Sequence, residues 1–220
     1  MLGDRNILYS AVGKRLADLV ANAEGKMTCD MSKAKLPAAP IVLPAPDAGL
    51  SLYHIAMGRG TQNYTCDLSN STAVPFQTGA EARLFNVTCL SSTYPDLVQM
   101  MPSISLRFPV PLADTNDKLA PANLYLSGHH YFPDVTTPFF NLTTAEANYG
   151  MGGFKKDNAT PAPNPAKDVP WLKLSAKDPE SCNFFQVYRV NTAGGVAPKT
   201  CQGQQAAFNV EYAAEYWIYK

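Results

Sequence analysis

Acid–base or metal chemistry in this chain has to run through three histidines, His54, His129 and His130, and five cysteines, Cys29, Cys66, Cys89, Cys182 and Cys201. His129 and His130 are adjacent, and adjacent side chains of a strand point to opposite faces, so they do not share a metal unless Gly128 breaks the strand. No Cys-x-x-Cys or His-x-x-x-His spacing occurs, which leaves zinc without a ligand frame. A serine nucleophile would need the Gly-x-Ser-x-Gly elbow, and none is present. Gly58-Arg59-Gly60 lacks the third glycine of a dinucleotide-binding loop, because Asn63 stands in its place, and the residues after it read as strand rather than helix. A carboxylate pair for glycoside hydrolysis could form among Glu81, Asp96, Asp134, Glu211 and Glu215, but nothing singles one out. The sequence therefore implies no cofactor and no metal.

What remains is a set of polar residues in strand-like stretches: Arg59, Gln62 and Tyr64; His129 and His130; Arg189 and Asn191. The expectation is that these converge on one pocket. There an arginine would clamp an anionic or polyhydroxylated ligand, and a neighbouring imidazole would be kept neutral. The competing use of the same residues is an internal network, since buried arginine and asparagine must be hydrogen-bonded whether or not a ligand supplies the partner. Trp171, Trp217 and Tyr219 are open to two uses in the same way, as a sugar-stacking platform or as core.

The elements that must hold these residues are strands. Gln186–Thr192 alternates, placing Val187, Arg189 and Asn191 on one face and Tyr188, Val190 and Thr192 on the other. From Val210 to Tyr219, the set Val210, Tyr212, Ala214, Tyr216 and Ile218 should face the core. Further strands are expected over 50–57, 61–66, 80–90, 103–110, 122–127, 136–140 and 170–174, with a bulge or bend at Gly58-Arg59-Gly60 and a short helix begun by Pro95. Residues 141–166 read as a long loop, and Pro37–Pro46 as an extended connector. Leu8, Val12, Leu16, Leu19 and Val20 recur at spacings of three and four, which predicts an amphipathic helix from about Asp4 to Ala23. With 18 prolines dispersed among short apolar runs, the expected fold is all-β. It is read as a single-domain β-sandwich or flattened β-barrel over residues 26–220, with a packed N-terminal helix over 1–25.

Eighteen basic and 18 acidic residues leave no net charge, so no field favours nucleic acid or an anionic membrane. The first thirty residues include Asp4, Arg5, Lys14, Arg15 and Asp18, which excludes a continuous apolar run of the signal or membrane-spanning kind there. Five sequons, at Asn63, Asn70, Asn86, Asn141 and Asn158, suit a secretory glycoprotein, and the cysteines suit an oxidising compartment. Cys182 and Cys201 flank one strand and its turn and form the expected first bridge. Cys66 and Cys89 form the second, although Cys29 could instead take either of those two.

Three stretches, 54–66, Gly128-His129-His130-Tyr131-Phe132, and 187–195 with the terminal 211–219 strand, resemble the family called domain of unknown function 3455 over roughly 29–220. The Arg189-Val190-Asn191-Thr192-Ala193-Gly194-Gly195 segment is the most specific part of the likeness. The resemblance implies a secreted, mainly fungal, β-rich protein and supplies no catalytic residues. The malate dehydrogenase label often attached to such proteins conflicts with the missing nucleotide loop. The functional expectation is a secreted glycoprotein, extracellular or bound to a cell wall, that takes a small molecule, glycan or partner surface. The alternative is a cofactor-independent secreted enzyme acting on a carbohydrate or small metabolite.

Overall fold

A computed structural model describes residues 29–109, 118–119 and 124–220. The helix expected between Asp4 and Ala23 lies outside these residues. Among them are nine strands: β1 (Leu52–Thr65), β2 (Phe76–Asn86), β3 (Lys118–Leu119), β4 (Leu124–Tyr131), β5 (Phe139–Thr143), β6 (Asn148–Thr160), β7 (Trp171–Ala176), β8 (Gln186–Gly194) and β9 (Ala207–Tyr219). Two helices, α1 (Thr88–Thr93) and α2 (Pro95–Ser105), follow β2. The strands run antiparallel in the order β2-β1-β9-β8-β7-β6-β5-β4, and β4 pairs back onto β2 from Ala82↔His130 to Phe85↔Leu126. Eight strands thus close a barrel, with the two-residue β3 attached to β4, and the chain is all-β as its prolines and alternation imply. No described helix is long and apolar enough to cross a membrane.

Closure gives each strand an inward and an outward face. Ala56, Leu84, Phe140, Phe154, Val187 and Tyr216 are among the side chains that fill the interior. Large residues there require small ones opposite, as small barrels generally do. A methyl group at Gly58 would overlap the Tyr216 ring, and one at Gly60 would meet the Ala82 backbone at 2.6 Å. The glycines on either side of Arg59 therefore make room inside a continuous strand and do not bend it.

The outward face is buried too. Ile55, Met57, Tyr188, Val190 and Trp217 lie under a second apolar layer that includes Leu90, Val98 and Met101 from the two helices and Leu43 from the arm preceding β1. Pro95 occupies the start of α2, and Val98 and Met101, three residues apart, present one face to the barrel. The arm is held by polar contacts. Tyr188 donates to Pro44 O (2.7 Å), buried Lys173 donates to Ala45 O (3.0 Å) and pairs with Asp47 (2.9 Å), and the Asp47 amide donates to Gln186 Oε1 (3.1 Å).

Several expectations are corrected here. The strand expected at 103–110 is in its first part the end of α2, since burial follows Met101 and Ile104 at helical spacing. The loop expected over 141–166 contains β6, a 13-residue strand that sequence periodicity hides because Lys155 to Ala159 are exposed on both faces and its inward position Gly152 has no side chain. The disulfides are Cys29–Cys89 and Cys66–Cys201, and Cys182 is a buried free thiol. Both expected pairs bracket a single strand, β8 or β2, whose nine or 11 residues set the two ends roughly 30 Å apart, whereas a disulfide needs Cα atoms within about 7 Å. Cys66 and Cys201 instead share one end of the barrel, where β1 ends and β9 is about to begin.

Two outcomes follow. Cys182 should resist thiol-specific reagents in the folded chain and react once the chain is unfolded without reductant, and non-reducing peptide maps should show Cys66 joined to Cys201; recovery of a Cys182–Cys201 peptide would contradict the topology. Gly58→Ala should lower stability by about 1–3 kcal/mol in urea unfolding through overpacking against Tyr216, whereas Gly203→Ala, where a methyl meets nothing within 4 Å, should lack that steric cost and retain only the strain of its backbone, φ 74°.

Candidate functional site

Arg189 shares the inward face of β8 with Val187 and lies opposite Tyr216 in the β8–β9 ladder. The residue is 7% exposed, one Nη2 hydrogen goes to Pro170 O (2.9 Å), and Nε has no partner among the described residues. No carboxylate pairs with it among the described residues. Around this guanidinium the barrel supplies hydroxyl groups and rings. The Tyr212 and Tyr216 hydroxyls are 2.7 Å apart and fully buried. Burial pushes both upward in pKa, and the Arg189 charge works in the opposite sense. Tyr64, from the end of β1, donates to Gly195 O (2.7 Å); burial raises its pKa as well, against the pull of Arg189.

His130 completes the cluster from β4. Its register partners Ala82 and Phe140 are interior residues, so His130 faces inward and His129, paired with Arg83 and Asn141, faces outward. The His130 ring stacks on Phe140 at 4.3 Å and lies 5.7 Å from the Tyr216 ring. Its Nδ1 is 3.0 Å from Phe139 O, which makes Nδ1–H the donor and leaves Nε2 as the acceptor nitrogen. Burial holds the pKa down at about 4, assisted by Arg189. Gln62, with no exposed surface, sits beside Gly195 and accepts from Gln77 through Oε1, while its buried Nε2 has no partner among the described residues. Gln62, Tyr64, His130 and Arg189 are thus four of the seven residues expected at a site, and all four face the barrel interior.

The other three do not. Arg59 alternates outward and is completely buried, but every one of its contacts is structural: Nε donates to Ser105 O (3.2 Å), Nη2 to Phe108 O (3.1 Å), Nη1 to Gly60 O and Tyr212 O, and the group pairs with the Glu211 carboxylate. A guanidinium at the end of α2 satisfies carbonyls that the helix leaves open. Asn191 was expected on the Arg189 face, but the β8–β9 register shifts between Val190 and Ala193 and Asn191 takes a left-handed φ of 46°. That turns it outward, where Nδ2 donates to Gln99 O (2.7 Å) and to the buried Glu215 carboxylate (2.7 Å). His129 belongs to the outer surface. Trp171, Trp217 and Tyr219 are all buried in the outer apolar layer and form no exposed platform.

Sequence reasoning missed Tyr212 and Tyr216 as site residues because inward alternation marks them simply as core. The available signal was the two hydroxyls four residues apart on the face that also carries Arg189 across the ladder. A second histidine centre, His54, is closed on itself. Its ring contacts Ser127 Oγ (3.0 Å) and Thr88 Oγ1 (3.1 Å) and stacks on Tyr149 at 4.3 Å; Ser127 gives its proton to Leu84 O and so accepts from Nε2–H, and Thr88, which accepts from the Ile55 amide, turns its proton towards Nδ1. It is a joint between β1, β4 and α1. Burial lowers its pKa to about 4.

A family model described as "Protein of unknown function (DUF3455)" matches residues 46–220. No curated protein and no solved structure matches the chain.

The two buried histidines predict the acid behaviour. Their folded pKa values of about 4 lie below the unfolded value of 6.5, so the unfolded chain binds protons that the folded chain refuses. Their contribution to stability is complete above pH 6.5 and is lost as pH falls towards 4, at about 1.4 kcal/mol per pH unit for each histidine. Urea unfolding followed between pH 7 and 4.5 should show this loss, and His130→Phe should remove about half of the histidine part of the slope. An unchanged slope would mean that His130 is charged when folded.

Proposed function

The chain belongs to the DUF3455 family, and from that premise we propose that it is a binding protein whose small, anionic or polyhydroxylated ligand reaches the interior of the barrel beside Arg189. The observation that carries this reading is a buried guanidinium that has, among the described residues, no carboxylate partner and an unsatisfied Nε. Leaving a buried donor unmade costs about 1–3 kcal/mol, and more for a charged group, so a ligand that supplies the acceptor has a large gain available to it. Gln62 Nε2 adds a second unsatisfied donor, and Tyr212, Tyr216 and neutral His130 supply groups that can orient a ligand without charge. Small-molecule binding is favoured over a partner surface because all these groups face inward.

We further propose that the protein is secreted and glycosylated. Two disulfides and five sequons support this. Asn70 and Asn158 are exposed and suited to carry glycan, whereas Asn86 Nδ2, the atom that would bear the sugar, is half-buried and donates to the Tyr149 hydroxyl (3.1 Å). Expression through a eukaryotic secretory pathway followed by glycopeptide mapping should find Asn70 and Asn158 occupied and Asn86 bare.

The binding reading is tested by thermal-shift screening of the disulfide-intact chain against small organic acids, inorganic anions and sugars. At least one hit should be lost in Arg189→Ala, with circular dichroism and disulfide maps unchanged. A library without hits, or hits that Arg189→Ala retains at full strength, would refute it.

A further inference from the structure

We infer that the ligand of the barrel interior is a monocarboxylate, an inference that rests on the binding reading above and narrows it to one chemical class. Two independent counts lead there, one of charge and one of hydrogen-bond donors.

The charge count is short. Among the described residues, Arg189 is the one cation on the inward face beside the tyrosine pair, and no described carboxylate offsets it. Glu211 and Glu215 flank Tyr212 and Tyr216 in sequence but alternate outward. Glu211 pairs with Arg59, and Glu215 accepts from Asn191 and from Trp217 Nε1 (2.9 Å). Asp168, at the end of the barrel, accepts from the Gly194 amide (2.7 Å). His130 adds no charge at neutral pH. A monoanion therefore neutralises the interior. A phosphate or sulfate dianion would leave one uncompensated negative charge in surroundings that penalise it heavily, and a neutral polyol would leave the guanidinium as it is.

The donor count separates a carboxylate from other monoanions and from neutral acceptors. Arg189 Nε–H and the Gln62 amide N–H groups have no acceptor among the described residues. Tyr212 and Tyr216 hold two hydroxyl protons between them, and their mutual contact uses one, leaving the other to be donated elsewhere. An occupant must therefore bring acceptors in excess. An ionised carboxylate offers two oxygens with about four lone-pair directions and no donor, and its plane matches a guanidinium edge. A sugar brings a donor with every acceptor and would add to the surplus.

Isothermal titration of the disulfide-intact chain with acetate, propionate and benzoate, each beside its own primary amide and beside sulfate, tests the inference. At least one carboxylate should bind at least about tenfold more tightly than its amide and than sulfate, tenfold corresponding to about 1.4 kcal/mol. Arg189→Met should weaken that carboxylate by at least as much, and Arg189→Lys, which keeps the charge but loses the fork, should fall between. If Arg189→Met does not fold, the carboxylate-against-amide ratio in the native chain decides alone. Amide or sulfate binding as tight as the carboxylate overturns the monocarboxylate assignment while leaving an interior binding site standing. Absence of binding by every carboxylate, amide and sulfate here, together with an empty thermal-shift screen, overturns both.

Discussion

When β2 closes onto β4, the sheet loses its free edges and each strand acquires an inside that only its own alternate side chains can fill. Everything else in the molecule follows from that constraint. Tyr216 reaches across to Gly58, Phe140 stacks under His130, and Phe154 stacks on Phe184 at 5.4 Å, because a small barrel has room for rings only where the facing strand carries glycine or alanine. In such an interior a charge is conspicuous. The barrel could have placed leucine at position 189, as it does at 174 and 84, and a guanidinium with no carboxylate partner among the described residues in place of packing is the local departure on which the binding proposal rests.

The outer layer has the opposite character, for its buried polar groups are mostly matched. Arg59 ties the end of α2 to Glu211 and to backbone carbonyls, Asn191 and Glu215 tie the same helix to β8 and β9, and Lys173 ties the arm to β7. Removing one partner from such a network leaves a buried charge unpaired, which is why these residues read as architecture even though their types suggest chemistry. The two disulfides add covalent closure. One joins the arm to α1, the other joins β1 to the β8–β9 connection, and in the chain-entropy description loops of 60 and 135 residues each contribute about 4–5 kcal/mol.

Much of this was legible in the sequence where alternation was strong. β8 and β9 carry their inward sets at every second residue, and the opposite facing of His129 and His130 follows from adjacency alone. Arg59, Gln62, Tyr64, His129, His130, Arg189 and Asn191 stand out in the sequence as candidates for one pocket, and four of the seven face the barrel interior. What separated site from scaffold was information that spacing does not hold: the one-residue slip that turns Asn191 outward, and the helix end that consumes Arg59. The two favoured cysteine pairs failed for a related reason, while the alternative that joins Cys29 to Cys89 is the bridge present. Flanking the same strand looks like proximity along the chain but means opposite ends in space. β6 escaped notice because its second half is solvated and its inward position Gly152, opposite Phe140, has no side chain to show a pattern.

The central claim is that the Arg189 Nε–H is held for an acceptor that no described residue provides. Nitrogen-15 NMR of the Nε–H groups reports on that atom directly. The account predicts a buried Nε–H resonance, assigned to Arg189 by its loss in Arg189→Lys, that shifts on titration with the carboxylate, while the likewise buried Arg59 resonance, whose Nε already donates to Ser105 O, stays in place. An Arg189 Nε–H that is insensitive to every anion offered, or that couples to a protein carbonyl or carboxylate, would contradict it.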